Sequence, residues 1–483
     1  MSAPPSTRRG AALALIAAAQ FMVIMDTSII GVALPRMQED LGFTQESLSW
    51  VFNAYVVAFG GLLLLGGRLS DLFGARRMFS TGWLILLVGS IIAGAAGNVG
   101  VELTGRAVQG VGAALIAPSA LTLLMMLFGH EPRELTRALA LYGAAAPAGG
   151  TAGVFLGGVI TEYVSWPWVF YINIPIAVIA LIATPALMPA GGAGARGSID
   201  VFGAITVTLG LGAAVYAIVR APEVGWGSME TWAMLIAAVV LLGVFLVIQA
   251  SRREPLMRLS IFRIPNLGAA NLAQLMLGAA WIPMWFFLNL YLQQVLGYTA
   301  FPSGAALLPM TILIMIGMIV LAPRAINRFG PKTMIVSGLL LLAAGMGWLS
   351  LIRPGGNFLV DVLPASLVAA LGMSLAFIPS LGTAISAAPP QEGGLASGIV
   401  NTSYQVGSAL GLAAMTAVAA SYGANQLGDN TALTDGFSAA FIGAGLIALL
   451  GAILAGITLK SARPEPEAMH SDRSGDAQAA GGR

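Results

Sequence analysis

Apolar runs of about twenty residues alternate with short polar loops along almost the whole of this chain. The first runs from Ala11 to Leu34, and further runs fall near 50–66, 78–97, 103–127, 138–160, 168–188, 201–219, 231–250, 267–290, 304–322, 333–351, 362–386, 395–419 and 436–459. A helix needs about twenty residues to cross a hydrocarbon core roughly 30 Å thick. Inside lipid it satisfies its backbone hydrogen bonds without help from a neighbour. The pattern therefore predicts an all-α polytopic membrane protein with fourteen transmembrane helices. The opening run is too long for the apolar core of a signal peptide and holds an aspartate, Asp26, so it reads as an uncleaved first span. An even number of crossings returns the chain to the face from which it started.

Composition agrees and narrows the class. With 57% hydrophobic and 9% charged residues and a mean hydropathy of +0.86, an ordinary soluble globule is excluded. The chain has no cysteine, hence neither a disulfide framework nor a thiolate metal site, and its two histidines, His130 and His470, fall in a loop and in the tail. Of 23 Lys and Arg residues, 19 lie on the side of the termini; Arg36, Arg220 and Arg353 lie opposite, and Arg106 sits inside a span. Basic loops mark the cytoplasmic face, so both termini are expected in the cytoplasm, and the bacterial inner membrane is the expected location; the excess of arginine over lysine, with abundant alanine and glycine, suggests a GC-rich genome. A net charge of +2, scattered over loops, gives no footprint for nucleic acid. The densest basic stretch, RREPLMRLSIFR from Arg252 to Arg263, is expected to anchor the chain to lipid, as an amphipathic helix along the membrane surface. The tail from Ser461 to Arg483 is polar and expected to be disordered.

One polar loop stands out. Gly67 to Arg77 reads GRLSDLFGARR between spans two and three: Gly67 and Gly74 permit close approach or positive φ, Asp71 can cap or pair, and Arg68, Arg76 and Arg77 hold the turn on the basic side. A second copy lies 256 residues on, PRAINRFGPK from Pro323 to Lys332, which aligns Arg68 with Arg324, Asp71 with Asn327 and Gly74 with Gly330. Such spacing indicates a parallel internal repeat. The loop resembles the conformational-switch loop of the major facilitator superfamily of transporters. That resemblance implies two six-helix bundles related by a parallel pseudo-repeat plus two inserted helices: an N-terminal bundle over 1–188, a linker and inserted hairpin over 189–255, a C-terminal bundle over 256–460 and the tail over 461–483.

Further stretches resemble the fourteen-span drug:proton antiporter family within that superfamily. They are DTSIIGVALP from Asp26 to Pro35, RAVQGVGA from Arg106 to Ala113, WVFYINIP from Trp168 to Pro175, LQQVLGYTAFPSGAALLP from Leu292 to Pro309 and GLASGIVNTSYQVGSALG from Gly394 to Gly411. Span five departs from the antiporter motif. Gly153, Gly157 and Gly158 are in place, but Val154 stands where the family has proline, and Pro147 is left to supply a kink.

The candidate chemistry follows from charge at membrane depth. Asp26 is the one acid well inside a predicted helix, and an intramembrane carboxylate is a functional candidate by default. Span four runs inward from the opposite face, which brings Arg106 to a similar depth, and a buried guanidinium needs a partner. The family resemblance implies that this arginine takes part in proton coupling. Glu102, one turn earlier at the membrane edge, reads as a solvated residue near the helix start rather than as a second proton carrier. Asn53, Gln274, Trp281, Trp285, Asn401 and Gln405 are polar or aromatic at helical spacing and are candidates for lining a cavity for a flat, amphipathic, hydrophobic substrate, although such faces also serve helix packing. Lys332 and Lys460 follow proline and leucine, so no P-loop for ATP is present and no cofactor is expected. An ion gradient remains: about 130 mV supplies roughly 3 kcal/mol per charge, enough for roughly 100-fold accumulation. No cluster of catalytic groups accompanies Asp26 and Arg106, which argues against an enzyme. The expectation is proton-coupled export of drugs or antibiotics, with a transporter of one specific metabolite, inward or outward, as the alternative on the same fold.

Overall fold

The computed structural model of the chain describes residues 6–129, 131–189, 200–253, 255–256, 258–388 and 393–460. The two histidines and the polar tail lie outside the described residues, as does most of the linker before span seven. The first part of the chain forms α1 (Ser6–Leu41), α2 (Trp50–Phe73), α3 (Ala75–Gly94), α4 (Val99–Phe128), α5 (Pro132–Tyr163) and a broken sixth crossing made of α6 (Trp168–Tyr171) and α7 (Asn173–Leu187). A hairpin follows, α8 (Val201–Val224) and α9 (Met229–Ser251). The last part comprises α10 (Leu267–Leu290), α11 (Ala300–Ile316), α12 (Ala322–Phe329), α13 (Pro331–Leu349), α14 (Leu363–Ala387), α15 (Gly393–Ser421) and α16 (Asn430–Thr458). Among the described residues, thirteen helices are long and apolar enough to cross a membrane. The fourteenth predicted crossing, α15, has the length but carries Asn401, Thr402, Ser403, Gln405 and Ser408.

The contacts themselves repeat. In the first bundle α3 packs on α4, α1 on α5 and α3 on α7; in the second, α13 packs on α14, α10 on α15 and α13 on α16. Close approach is built from glycine. Gly82 and Gly89 of α3 meet α4 at Gly112 and Gly105 or its neighbour Gln109, and their counterparts 256 residues on, Gly338 and Gly345 of α13, meet α14 at Gly372 and Ala369. Small residues let helices touch where lipid supplies no hydrophobic force between them. Gly74 ends α2 with φ +91 and Gly330 ends α12 with φ +80, so both copies of the polar loop turn through a conformation that a side chain disfavours.

The bundles meet along α5 against α11 and α15 against α2, and α8 lies over the second seam, with α9 packed on α8. Asp200 caps α8 at Gly203 N (2.8 Å), accepts from Gln249 Nε2 of α9 (2.7 Å) and lies 3.6 Å from Arg252, which clips the hairpin at its open end. Among its described residues the basic stretch after α9 forms no α-helix and holds one 3₁₀ segment, Leu259–Arg263. Pro255 supplies the reason, since it has no amide to donate to a helical hydrogen bond.

Candidate functional site

Packing of α1 on α5 sets the depth of Asp26. Gly149, Gly153 and Gly157, one per turn of α5, face the carbonyls of Phe21, Met25 and Ile29 on α1, and a Cβ at any of them would fall closer than 3.0 Å to those oxygens. Gly158 turns the other way, onto Ala300 and Phe301 of α11, and Val154 sends its carbonyl toward Gly304. The glycine motif thus seats α5 against both bundles without the proline.

Asp26 is buried, and so is Arg106, whose Nη1 donates to Asp26 Oδ2 at 2.7 Å. The two residues the sequence singled out are thereby brought together. Three further helices complete the cluster. Gln109 Nε2 (3.1 Å) and Asn173 Nδ2 (2.6 Å) donate to Asp26 Oδ1, while Ser90 Oγ accepts from Gln109 (2.9 Å) and Asn173 (3.2 Å). Arg106 Nη1 also donates to Gln109 Oε1 (2.6 Å), and its Nε donates to the Val51 carbonyl of α2 (2.9 Å). The guanidinium lies over the Tyr55 ring at 4.6 Å and faces Phe170 at 5.9 Å. A buried carboxylate is tolerated when it is paired and when donors fill its remaining lone pairs, and here both conditions hold. The break between α6 and α7 matters because it starts α7 at Asn173 and delivers that amide into the cluster.

Sequence reasoning quoted Gln109 and Asn173 within motifs and gave them no task; Ser90 and Tyr55 carried no signal. It also misplaced Glu102. Glu102 is fully buried, and neither of its carboxyl oxygens has a hydrogen-bond partner. Arg106 Nη2 is likewise buried without a partner.

The other candidates are dispersed. Trp281 and Trp285 are buried in an apolar cluster shared by both bundles. The Trp285 ring sits directly on Gly31 of α1 and meets Phe52 edge-on at 5.8 Å. Gln274 donates to the Phe377 carbonyl (3.1 Å) and leaves its Oε1 without a partner; Asn53 is buried with neither amide atom bonded. Asn401 is half-buried and bonds back to Ser397 O (2.9 Å), and the Gln405 side chain packs on Gly60 across the α2–α15 seam. In the polar loop, Arg76 reaches the Met188 carbonyl at the end of α7 (3.5 Å), Arg77 is exposed and Gly67 approaches Pro118 of α4. Asp71 lies in α2, and its side chain is outside what the structure describes.

At the face away from the termini the bundles are joined. Gln294 donates to Gln38 (2.9 Å), Gln45 donates to Gln294 (3.0 Å), and Gln293 donates to the Val32 carbonyl (3.0 Å). A shallow cleft of about 330 Å³, lined by Pro35, Gln38, Phe43, Gln294 and Leu433, opens above them.

The sequence profile described as Major Facilitator Superfamily matches residues 16–412. Cephamycin export protein CmcT of Amycolatopsis lactamdurans is 36% identical over 462 residues, covering 94% of this chain and 93% of that protein. Puromycin resistance protein pur8 of Streptomyces alboniger is 36% identical over 467 residues, with 95% and 92% covered. Multidrug resistance protein Stp of Mycobacterium tuberculosis is 30% identical over 402 residues, with 83% and 74% covered. Among solved structures, the nucleoside transporter NupG superposes with a TM-score of 0.65 at 14% identity, covering 94% of this chain and all of that one, and the human organic anion transporter MFSD10 with 0.62 at 14%, over 94% and 100%. At that identity the likeness is one of fold.

Proposed function

This chain belongs to the major facilitator superfamily, and from that premise we propose that it exports hydrophobic antibiotics or drugs across the bacterial cytoplasmic membrane in exchange for protons. The observation that carries the reading is the buried Asp26–Arg106 pair, closed within one bundle and held by donors from α4 and α7. The relatives named for export and resistance support the direction and the class of cargo. The basic side, with both termini, faces the cytoplasm.

In this reading the present state is closed at the outer face by the Gln38–Gln45–Gln294 network and by Trp285 on Gly31. Protonation of Asp26 removes its charge and with it most of the attraction for Arg106. The freed guanidinium then changes partners, and the balance between inward-open and outward-open arrangements shifts. Release of the proton to the cytoplasm restores the pair. The Gly67–Arg77 loop and its repeat at Pro323–Lys332 form the hinge side, where Arg76 grips the end of α7 in one arrangement and lets go in the other.

Inside-out vesicles energised to an acidic lumen and carrying a fluorescent pH probe test the proposal. A panel of lipophilic cations and neutral antibiotics should include compounds that trigger proton efflux, and Asp26→Asn should abolish it. Folded protein through which no compound moves protons would sink the export reading. Accumulation of a nutrient by intact cells would replace it with import.

A further inference from the structure

Glu102 is a carboxyl that the cycle above leaves unused. It lies on α4 four residues before Arg106, on the same face of the helix and about 6 Å nearer the outer end at 1.5 Å per residue. Side chains of a helix lean toward its N-terminus, so the Arg106 guanidinium extends along α4 in the direction of Glu102. Both carboxyl oxygens of Glu102 and the Nη2 of Arg106 are buried with no hydrogen-bond partner. An ionised carboxylate in that setting would forfeit its hydration with no donor in exchange, so Glu102 holds a proton while Arg106 is engaged with Asp26. The charged groups of the neighbouring cluster are Arg106, on its own helix, and Asp26, on α1. Of the crossings around Glu102, α2 carries Tyr55 against Arg106, α2 and α3 carry charged side chains only at their cytoplasmic ends, α6 and α7 carry none, and the outer ends of α1 and α5 carry Arg36, Glu39, Asp40 and Glu162.

We propose that Glu102 is a second proton-binding site, an outer carboxyl that exchanges one proton with Asp26 while Arg106 pairs with whichever of the two is ionised. The exchange balances without any other reactant. In one state Asp26 is a carboxylate, Arg106 a cation and Glu102 an acid. In the other, the O–H bond at Glu102 has broken, an O–H bond at Asp26 has formed, and the guanidinium has moved from Asp26 to Glu102. The three groups sum to the same charge throughout, so no lone charge is exposed to the membrane interior during the exchange. Glu102 then regains a proton from the outer side, and Asp26 loses its proton to the inner side. Direction is supplied by position: the carboxyl nearer the outer face loads, and the carboxyl deeper in the bundle delivers.

This inference rests on the proton-coupling reading, but its decisive test needs neither substrate nor gradient. Infrared spectra of the full-length protein in lipid nanodiscs are recorded across a pH series for wild type, Glu102→Gln and Asp26→Asn. Wild type should show the carbonyl stretch of a protonated carboxyl that Glu102→Gln removes. In Asp26→Asn, Arg106 has lost its partner and turns to Glu102, so the same band should disappear at a pH lower by about one to three units, the shift an adjacent cation produces. Should Asp26→Asn yield too little protein, Asp26→Ser carries the same comparison. A wild-type spectrum from which Glu102→Gln removes no carboxyl band, or a midpoint that Asp26→Asn leaves in place, overturns the proposal and makes Glu102 a packing residue. In the vesicle assay, Glu102→Gln should lower compound-driven proton efflux at least tenfold with compound binding retained, and Glu102→Asp should recover much of it. Spectra that fail while wild-type vesicles still couple would leave export intact and remove Glu102 alone from the mechanism.

Discussion

A single methyl group placed on Gly31 offers a direct way to open the outer face. In the present arrangement the Trp285 ring rests on the Gly31 backbone, and a Cβ there would overlap the ring carbons Cη2 and Cζ3 and lie 3.0 Å from the Asn289 amide nitrogen. Trp285 cannot swing aside, because Phe52 meets it edge-on at 5.8 Å and packs on Phe286 at 5.9 Å. Gly31→Ala therefore imposes an overpacking cost of about 1–3 kcal/mol. That cost falls only on the state in which α1 and α10 touch. Separation of the outer halves relieves it, so the outward-open population should rise about 5- to 150-fold, at 1.4 kcal/mol per factor of ten. The chain contains no cysteine, so one introduced thiol reports without background. Asn289→Cys, buried at this contact, should react with a membrane-impermeant thiol reagent faster by that factor when Gly31→Ala is added. An unchanged rate, in protein that melts at the same temperature, would show that Trp285 on Gly31 is not what holds the outer face shut.

The paired substitution Gln45→Cys and Gln294→Cys replaces two long side chains whose amides lie 3.0 Å apart across the bundles, so a short bis-methanethiosulfonate that bridges the two thiols should lock the outer face and stop transport, with recovery on reduction. Transport that survives full cross-linking would exclude opening at this seam. Arg106→Lys keeps the charge but loses the Nε bond to Val51 and the planar contact with Tyr55, and should cost about 1.5–3 kcal/mol of stability as one charge-assisted hydrogen bond, read as a lower melting temperature in detergent.

The crossings and the repeat were legible because the signals that specify them are long: a run of twenty apolar residues or a spacing of 256 survives errors of a few positions. Asp26 and Arg106 were legible because charge at membrane depth is costly enough to need a reason. Their neutral partners were not. Gln109, Ser90 and Asn173 lie on three different helices, and amides and hydroxyls occur inside spans for packing as often as for chemistry, so their convergence depends on how α3, α4 and α7 are rotated. Glu102 misled for a local reason: it stands three residues from the start of α4, where a carboxylate ordinarily meets water and the helix dipole, yet neighbouring crossings cover it here. Trp281 and Trp285 have the right spacing for a cavity wall, but the second bundle turns that face onto the first.

Asp26, Arg106, Gln109, Asn173 and Ser90 all belong to the first bundle, while the amide-rich face of α15 belongs to the second. Under the proposed function, the pair that would take up the proton and the face that is a candidate to meet cargo thus lie in different halves of one molecule, joined along seams of small residues and a glutamine clasp. Substitutions on this face of α15 are then expected to change which compounds are carried while leaving the Asp26–Arg106 pair in place. On that reading, a lineage of such chains would change its cargo one residue at a time and keep one and the same site for the proton.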